Sequence, residues 1–345
     1  MRIGVIGAGA VGLRVAQHFL ASDDVEQVVV RDIRPSLEQS VVEQLGTKAT
    51  RDVRRSVLRD VDLVVLATPP GPHVRLATGA LENGVSVVSV SDSVNDVKRL
   101  LALDSLALSN DASLVVGAGF SPGLTGVLAR HGAGRLERVD EIHTAKMGTG
   151  GPACARQHHR ALKSSGSDRR DGHWLRRQGG SGRELVWFPA PVDAHDCYRG
   201  ALPDTMLLVQ AFPNAKRVTA RVSATRRDRL TMHLPMLRRP HPEGLVGAVR
   251  VEVRGTLPEG GLGSVIMGAA AAPALGAAAV AACSGTWVLK GRMRSGAFGL
   301  STVENTSQFL LDMADKGVPA EIFEGLRTLA ADDLDELGTL VGGVT

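Results

Sequence analysis

The first 32 residues constrain this chain more than any other segment. Residues 2–6, Arg-Ile-Gly-Val-Ile, form an apolar run of strand length that leads directly into Gly7-Ala8-Gly9-Ala10-Val11-Gly12. From Val11 the apolar spacing becomes helical: Val11, Val15 and Phe19 recur at steps of four, with Leu20 beside them. Ser22-Asp23-Asp24 stop that helix, and a second apolar run, 25–30, ends in Arg31-Asp32. A Gly-x-Gly-x-x-Gly run alone says little. Between a strand and a helix, with an acid ending the next strand, it is the pattern of a dinucleotide-binding βαβ unit. Gly7 permits the tight turn, Gly9 lets backbone N–H groups approach a pyrophosphate, and Gly12 lets helix and strand pack closely. The helix N-terminus at Ala10 and Val11 then favours the phosphate charge. Asp32 lies 20 residues past Gly12, where a carboxylate accepts hydrogen bonds from the adenosine ribose hydroxyls.

Which dinucleotide is expected depends on three neighbours. The Asp32 carboxylate repels a 2′-phosphate and favours NAD. Arg31 and Arg34 flank it, and either guanidinium can pair with that phosphate, so NADP stays open and NAD is slightly favoured. The apolar run 61–67 ends in Thr68-Pro69-Pro70, a turn expected at the carboxyl edge of the sheet, bordering the nicotinamide-side ribose.

Further segments extend the pattern. Helices are predicted over 37–45, 73–82 (with Gly84 as C-cap) and 96–103, a short one over 51–60, and strands over 85–90 and 113–116. Five strands alternating with helices imply a parallel, doubly wound sheet. After about residue 135 the pattern changes. Strands are predicted over 139–144, 185–188, 217–224 and 248–255, the last three as antiparallel strands. The run 249–254 alternates apolar with charged residues, as in a sheet wet on one face. Helices are predicted over 306–316 and 319–329, with a frayed end around Gly342-Gly343. The expected fold class is therefore α/β: a Rossmann-type domain over 1–125, an α+β domain on a mainly antiparallel sheet over 126–295, and C-terminal helices over 296–345 packing back on the first domain.

Composition narrows the function classes. At 345 residues the chain is long enough for two domains, and 43% hydrophobic with 22% charged residues is ordinary for a globular protein. Aromatics make up only 3%, so Val, Leu, Ala and Ile must fill the core. A net charge of +4 fits anionic small ligands, and there is no nucleic-acid module. Cys154, Cys197 and Cys283 are too scattered for a disulfide framework or a zinc site, so no metal is expected and a reducing, cytoplasmic compartment is. There is no signal-peptide pattern at the start. The stretch 265–283 has nearly the length of a membrane span but consists mostly of Ala and Gly around Pro273. It is read as closely packed helices of a soluble protein, with no membrane partner.

Beyond its first motif the chain resembles the saccharopine dehydrogenase-like oxidoreductases, the group of saccharopine reductase and lysine 6-dehydrogenase. The resemblance is carried by MRIGVIGAGAVG, DLVVLATPPGPH, VVGAGFSPGLTGVLA (115–129), EIHTAKMGTGG (141–151) and GAFGLSTVEN (296–305). It implies a second, substrate-binding domain and hydride transfer to a small amino, imino or keto acid. Ser121 stands where that family often has an acid before Pro-Gly. The glucose–fructose oxidoreductase-like enzymes are argued against: their strand at 85–90 leads into Glu-Lys-Pro with a catalytic Lys, and here Ser91-Asp92-Ser93 follows.

Candidates for moving a proton are Asp92 after the 85–90 strand, Lys146 at the end of a strand, and His158 on the next helix. Asp92 can equally cap the helix beginning near Val94. The loop 148–151 after Lys146 offers backbone N–H groups to a substrate carboxylate. His158 and His159 are neighbours on a helix and make a poor metal pair. Arg156, Arg160, Arg169, Arg170, Arg176 and Arg177 form either a mobile lid or a solvated loop. The reading is an NAD(P)-dependent oxidoreductase with a small, carboxylate-bearing substrate, working as a homodimer. The alternative is a non-catalytic, cofactor-binding sensor or scaffold.

Overall fold

The computed structural model describes residues 1–53, 56–236, 239–242 and 244–324. Its first unit runs β1 (Arg2–Ile6), α1 (Ala10–Leu20), β2 (Gln27–Arg31), α2 (Pro35–Leu45), β3 (Ala49–Arg51), β4 (Leu63–Leu66), α3 (His73–Leu81), β5 (Ser86–Ser89), α4 (Val94–Leu101), α5 (Asp104–Ser109) and β6 (Ser113–Val116). All pairings in this sheet are parallel. Strands β1, β4, β5 and β6 are buried almost throughout and rich in Val, Ile and Leu, because helices cover both faces.

The second unit continues with α6 (Leu124–Ala133), β7 (Arg138–Met147), α7 (Pro152–Lys163), β8 (Gly166–Arg170), β9 (His173–Arg177), β10 (Glu184–Trp187), β11 (Ala194–Tyr198), α8 (Asp204–Ala211), β12 (Arg217–Ser223), α9 (Arg226–Thr231), β13 (Gly247–Thr256) and β14 (Leu262–Ala271). Then come α10 (Pro273–Leu289), β15 (Gly296–Phe298), α11 (Thr306–Asp315) and β16 (Glu321–Glu324). Strand β15 returns to the first sheet, giving the order β15-β6-β5-β4-β1-β2-β3. The second sheet has nine strands, ordered β10-β11-β12-β7-β13-β14-β16 with the β8–β9 hairpin on β12. The α/β class with a second sheet domain is as expected.

Five expectations need correction. The short helix over 51–60 is not formed among the described residues: Arg51 ends β3, and turns lead from there to β4. The 217–224 strand is not antiparallel to its inner neighbour: β12 runs parallel to β7, with Val218 opposite Ile142 and Val222 opposite Lys146. Helix α8 lies between β11 and β12, which pair antiparallel, so β12 has an antiparallel neighbour on one side and a parallel one on the other. The Ala-rich stretch is not all helical. Its first part is β14, whose small residues pair with β13, and only Pro273–Leu289 is α10. The Arg/Gly-rich stretch is not a solvated loop but mostly α7 and the β8–β9 hairpin, in which Arg177 pairs with Asp168 and Arg169 lies over the Trp174 ring. Residues 321–324 form a strand on β14 where a helix was predicted, since an open sheet edge there satisfies their backbone groups. The remainder of that predicted helix and Gly342-Gly343 lie outside the described residues.

One hydrophobic core joins the two sheets. Ile3, Val5 and Val65 of the first sheet and Val249, Val251, Val253 and Met267 of the second belong to a single cluster, bridged by Leu124, Val127 and Leu128 of α6. Helix α10 closes it with Ala278, Ala279, Ala281 and Ala282, each 1% exposed or less. Their small size lets α10 lie directly against α1. A Cβ on Gly285 would stand 2.6 Å from Leu63 and 2.7 Å from Phe19. Among the described residues, no helix is long and apolar enough to cross a membrane.

Candidate active site

The turn after β1 is built by steric exclusion. Gly7 has φ +105°, and a Cβ there would sit 2.5 Å from the Ala67 carbonyl oxygen. A Cβ on Gly12 would meet the Gly7 carbonyl oxygen at 1.8 Å. These two glycines are required by the chain itself. Gly9 is not: nothing lies within 4 Å of its Cβ position. An open space at the N-cap of α1, with Ala10 and Val11 as its first residues, is a cradle a side chain would fill, and it fits a pyrophosphate.

Asp32 is held in place for its expected task. Its Oδ2 accepts the Ala8 N–H at 2.8 Å, and its Oδ1 accepts from the Arg34 backbone at 2.9 Å and from Arg34 Nε at 3.1 Å. Burial raises its pKa, but the hydrogen bonds from Ala8 and Arg34 outweigh that and leave it below the usual carboxylate range. Arg34 is thus engaged with Asp32, and Arg31 lies 3.5 Å from Asp52. Beside them two apolar side chains face solvent, Ile33 at 97% and Val53 at 82% exposure. The sequence reading missed both. The signal available was an Ile set inside an otherwise charged Arg-Asp-Ile-Arg turn.

The Thr68-Pro69-Pro70 turn lies next to the Gly7 turn, as the Gly7–Ala67 proximity requires. It is braced from below by residues the sequence reading did not single out. His73 is fully buried, with Nε2 3.0 Å from the Thr68 carbonyl and Nδ1 2.9 Å from Ser89 Oγ. Asp96 Oδ2 accepts the Gly71 N–H at 2.9 Å and the Ser91 hydroxyl at 2.8 Å.

The three proton-transfer candidates come from distant segments and meet. Lys146 Nζ lies 3.7 Å from Asp92 Oδ2 and donates to the Ser121 carbonyl at 3.2 Å. Asp92 does not cap α4; the Ser93 side chain does. Burial pushes the Asp92 pKa up, and the Lys146 charge only partly offsets it. Burial also works against the Lys146 charge, but Asp92 and Asp204 more than compensate, so its pKa ends above the ordinary lysine value. His158 Nε2 sits 2.9 Å from the Ser223 carbonyl, which can only accept, so Nε2 carries the proton. Its Nδ1 is buried without a partner. Burial, and then the Lys146 charge, lower the His158 pKa to about 4, so the imidazole is neutral.

Two more residues belong to this cluster. Asp204, 2% exposed, accepts the Ser121 hydroxyl at 2.9 Å and the Thr125 hydroxyl at 2.7 Å, while its Oδ2 is buried and unpartnered. An acid in the first turn of a helix is too common a pattern to have marked it. The Cys154 thiol is held protonated, chiefly by burial and then by Asp92. The loop 148–151 is less open than expected: Cβ atoms on Gly148 and Gly150 would stand 2.9 Å from Gly247 and 3.0 Å from Ala274, so other backbone covers it. Among the described residues, no cluster of His, Cys, Asp and Glu could hold a metal ion.

Residues 1–104 match the model of the GFO/IDH/MocA oxidoreductase family, described as having an NAD-binding Rossmann fold. The first unit thus resembles the dinucleotide-binding domain of that family. The absence of a Lys after β5 was read as arguing against such a relationship. It does not, because the cofactor cradle is built by β1, α1 and β2, and the residues after β5 are free to differ. Inositol 2-dehydrogenase from Rhizobium meliloti (strain 1021) is 24% identical over 144 residues, 41% of this chain and 44% of that protein. The chain therefore matches less than half the length of this curated relative. Apo saccharopine dehydrogenase (L-Glu forming) from Saccharomyces cerevisiae shares the fold, with a TM-score of 0.71 and 15% identity over 95% of this chain and 100% of that one.

Proposed function

We propose that this chain is an NAD(P)-dependent oxidoreductase that transfers a hydride between the nicotinamide cofactor and a small substrate through amine/imine or carbonyl chemistry. The observation that carries this reading is the buried Lys146–Asp92 pair, set at the carboxyl edge of the first sheet beside the cofactor turns. A fold that only stored a cofactor would have no use for a charged pair buried there, because burying ions is costly without a role.

When bound, the cofactor supplies or accepts the hydride. Gly9 and the α1 N-terminus would hold its pyrophosphate, Asp32 its adenosine ribose, and Ile33 and Val53 the faces of its adenine. The Thr68-Pro69-Pro70 turn would border its nicotinamide half. Lys146, kept protonated, donates a proton to the substrate heteroatom in reduction and takes it back in oxidation, and Asp92 orients the ammonium. Two carboxylates, Asp92 and Asp204, surround this one ammonium, and His158 presents a bare acceptor nitrogen. That balance supports an amine or imine at the reacting end, with any substrate carboxylate bound farther off. Asp32 with both neighbouring arginines engaged supports NAD over NADP.

The outer face of the second sheet pairs its own charges, Arg250 and Arg254 with Glu252, and the edge strand β10 exposes Leu185 and Trp187. Both features support a homodimer. The three cysteines are unpaired, which supports a reducing, cytoplasmic setting.

The test is NADH and NADPH binding by fluorescence, followed by turnover across a panel of amines, amino acids and keto acids. Absence of binding to either cofactor at millimolar concentration overturns the proposal. Binding without turnover across the panel replaces it with a sensor or scaffold role. A monomeric mass by light scattering at micromolar concentration overturns the dimer.

A further inference from the structure

The turn that would meet the nicotinamide half and the turn that carries Asp92 leave the sheet from adjacent strands, β4 and β5, paired with Leu66 opposite Ser89. Neither turn is rigid by itself: one contains Gly71 at φ +124°, and the other is Ser91-Asp92-Ser93 without regular structure. They are tied together by hydrogen bonds whose directions are fixed by elementary chemistry. The Thr68 carbonyl can only accept, so His73 Nε2 carries the proton, 3.0 Å away, and the Thr68 hydroxyl oxygen is a second acceptor of it at 3.1 Å. His73 Nδ1 is then an acceptor and takes the Ser89 hydroxyl at 2.9 Å. Ser89 Oγ in turn lies 3.4 Å from the Ser91 N–H. The Ser91 hydroxyl donates to Asp96 Oδ2, and the same oxygen accepts the Gly71 N–H. The path runs from Thr68 to His73, Ser89, Ser91, Asp96 and Gly71, and so returns to the turn it started from.

We infer that His73 and Asp96 are positioning residues: this ring of hydrogen bonds fixes the 68–71 turn against the Ser91-Asp92-Ser93 turn, and through it sets the Lys146–Asp92 pair relative to the cofactor. The inference rests on the proposed function, since it assigns the 68–71 turn to the cofactor. His73 is fully buried and Asp96 is 1% exposed, so neither touches substrate. Their effect is transmitted through Thr68, Gly71 and Asp92. Both ring nitrogens of His73 are used, and the bond to the Thr68 carbonyl is the one that holds the cofactor-side turn. A glutamine spans from α3 to Thr68 and can donate to its carbonyl, whereas alanine reaches neither.

The experiment compares wild type, His73→Ala, His73→Gln, Ser91→Ala and Asp96→Asn for NADH affinity, kcat, KM and melting temperature. Misplacement of such supports costs about 10- to 100-fold. His73→Ala is expected to weaken NADH binding about 10-fold, and His73→Gln to recover most of it. Ser91→Ala removes the link on the Asp92 side and is expected to lower kcat about 10-fold while leaving NADH affinity within about 2-fold. Asp96→Asn keeps an acceptor for Gly71 and is expected to fall between wild type and Ser91→Ala. Nitrogen-15 spectra of His73 should show a neutral ring protonated at Nε2. Wild-type protein that binds NADH while His73→Ala binds it equally well overturns the ring alone. Equal impairment of His73→Gln and His73→Ala at matched melting temperatures overturns it too. Wild-type protein that binds neither cofactor overturns the proposed function, and the inference with it.

Discussion

The cofactor cradle and the Lys146 cluster sit side by side at one edge of the first sheet, but they are assembled in opposite ways. Gly7, Gly9, Gly12 and Asp32 come from one βαβ unit, which by itself brings them together. Lys146, Asp92, His158 and Asp204 come from β7, the turn after β5, α7 and α8, and only the fold brings them together. The cradle is made of backbone and of absent side chains. The cluster is made of charges that offset one another's burial. A cradle of this kind fails when something is added, a cluster of this kind when something is taken away.

The largest effect is expected from taking away. Lys146→Met is predicted to lower kcat about 1,000-fold, within the range of a lost acid–base group. NADH affinity should change little, because the cradle is separate. The variant also leaves Asp92 without its cation. Asp92 then takes up a proton more readily, and high pH returns its charge but not the missing proton donor, so the lost activity should not be restored at high pH. A kcat within tenfold of wild type would show that the proton comes from elsewhere. Next comes adding. Gly12→Val places carbon where the Gly7 carbonyl oxygen stands and is expected to cost about 3 kcal/mol, read as a fall in the urea midpoint together with lost NADH binding. Gly9→Ala should leave the midpoint unchanged and weaken NADH about 10-fold, since its Cβ enters only the open cradle. If Gly9→Ala destabilises the protein as Gly12→Val does, the two glycines do the same work and the cradle reading of Gly9 fails.

The contrast explains what could be read from the chain. Strands β1, β4, β5 and β6 are short, mainly apolar segments between turn residues, and the parallel sheet follows from their alternation with helices. The direction of β12 was not legible, because its Arg-Val-Thr-Ala-Arg-Val-Ser pattern fits a parallel or an antiparallel neighbour equally, and it has one of each. Strand β14 was masked by composition: Gly-Ala-Ala-Ala reads as helix until a partner strand is available. Within the site, Asp92 could be named because it follows a strand at the edge where ligands bind, and Lys146 because it stands just before a Gly-rich loop, although it proves to be the penultimate residue of β7; their contact was invisible. Asp204 and His73 carried no signal at all, since an acid in a first helical turn and a histidine after a Pro-rich turn are ordinary until burial and partners are known.

A smaller effect separates the two regions by pH. His158 has its pKa lowered from 6.5 to about 4, chiefly by burial and then by Lys146. A group depressed on folding contributes stability that is fully present above its unfolded pKa and is lost as pH falls through the folded value. The window therefore runs from about 6.5 down to about 4, and the His158 share is on the order of 3 kcal/mol. His18, His73, His131 and His143 are shifted the same way, so acid weakens the whole fold and His158 accounts for only part of it. In His158→Gln the side chain can still donate to the Ser223 carbonyl but cannot take up a proton. Its urea midpoint should drop less than that of wild type between pH 7 and pH 4.5. Parallel drops in the two proteins would mean that His158 is not held neutral by the cluster.

The smallest effect concerns the one place where the cradle too depends on a charge. Asp32 keeps its charge because Ala8 and Arg34 donate to it, and in doing so it occupies Arg34. Asp32→Ala removes an acceptor for the ribose hydroxyls and frees a guanidinium at the same spot. NADH affinity should fall and NADPH affinity rise, so that the preference between them shifts about tenfold, or about 1.4 kcal/mol. Arg34→Ala alone should leave NADH binding nearly unchanged, since Asp32 still has the Ala8 N–H. Adding Arg34→Ala to Asp32→Ala should cancel the gain in NADPH affinity but not restore NADH affinity. If the double variant keeps the gain, Arg31, released from Asp52, is the residue that meets the 2′-phosphate, and the adenosine end of the cradle is set by two guanidiniums in exchange and not by one.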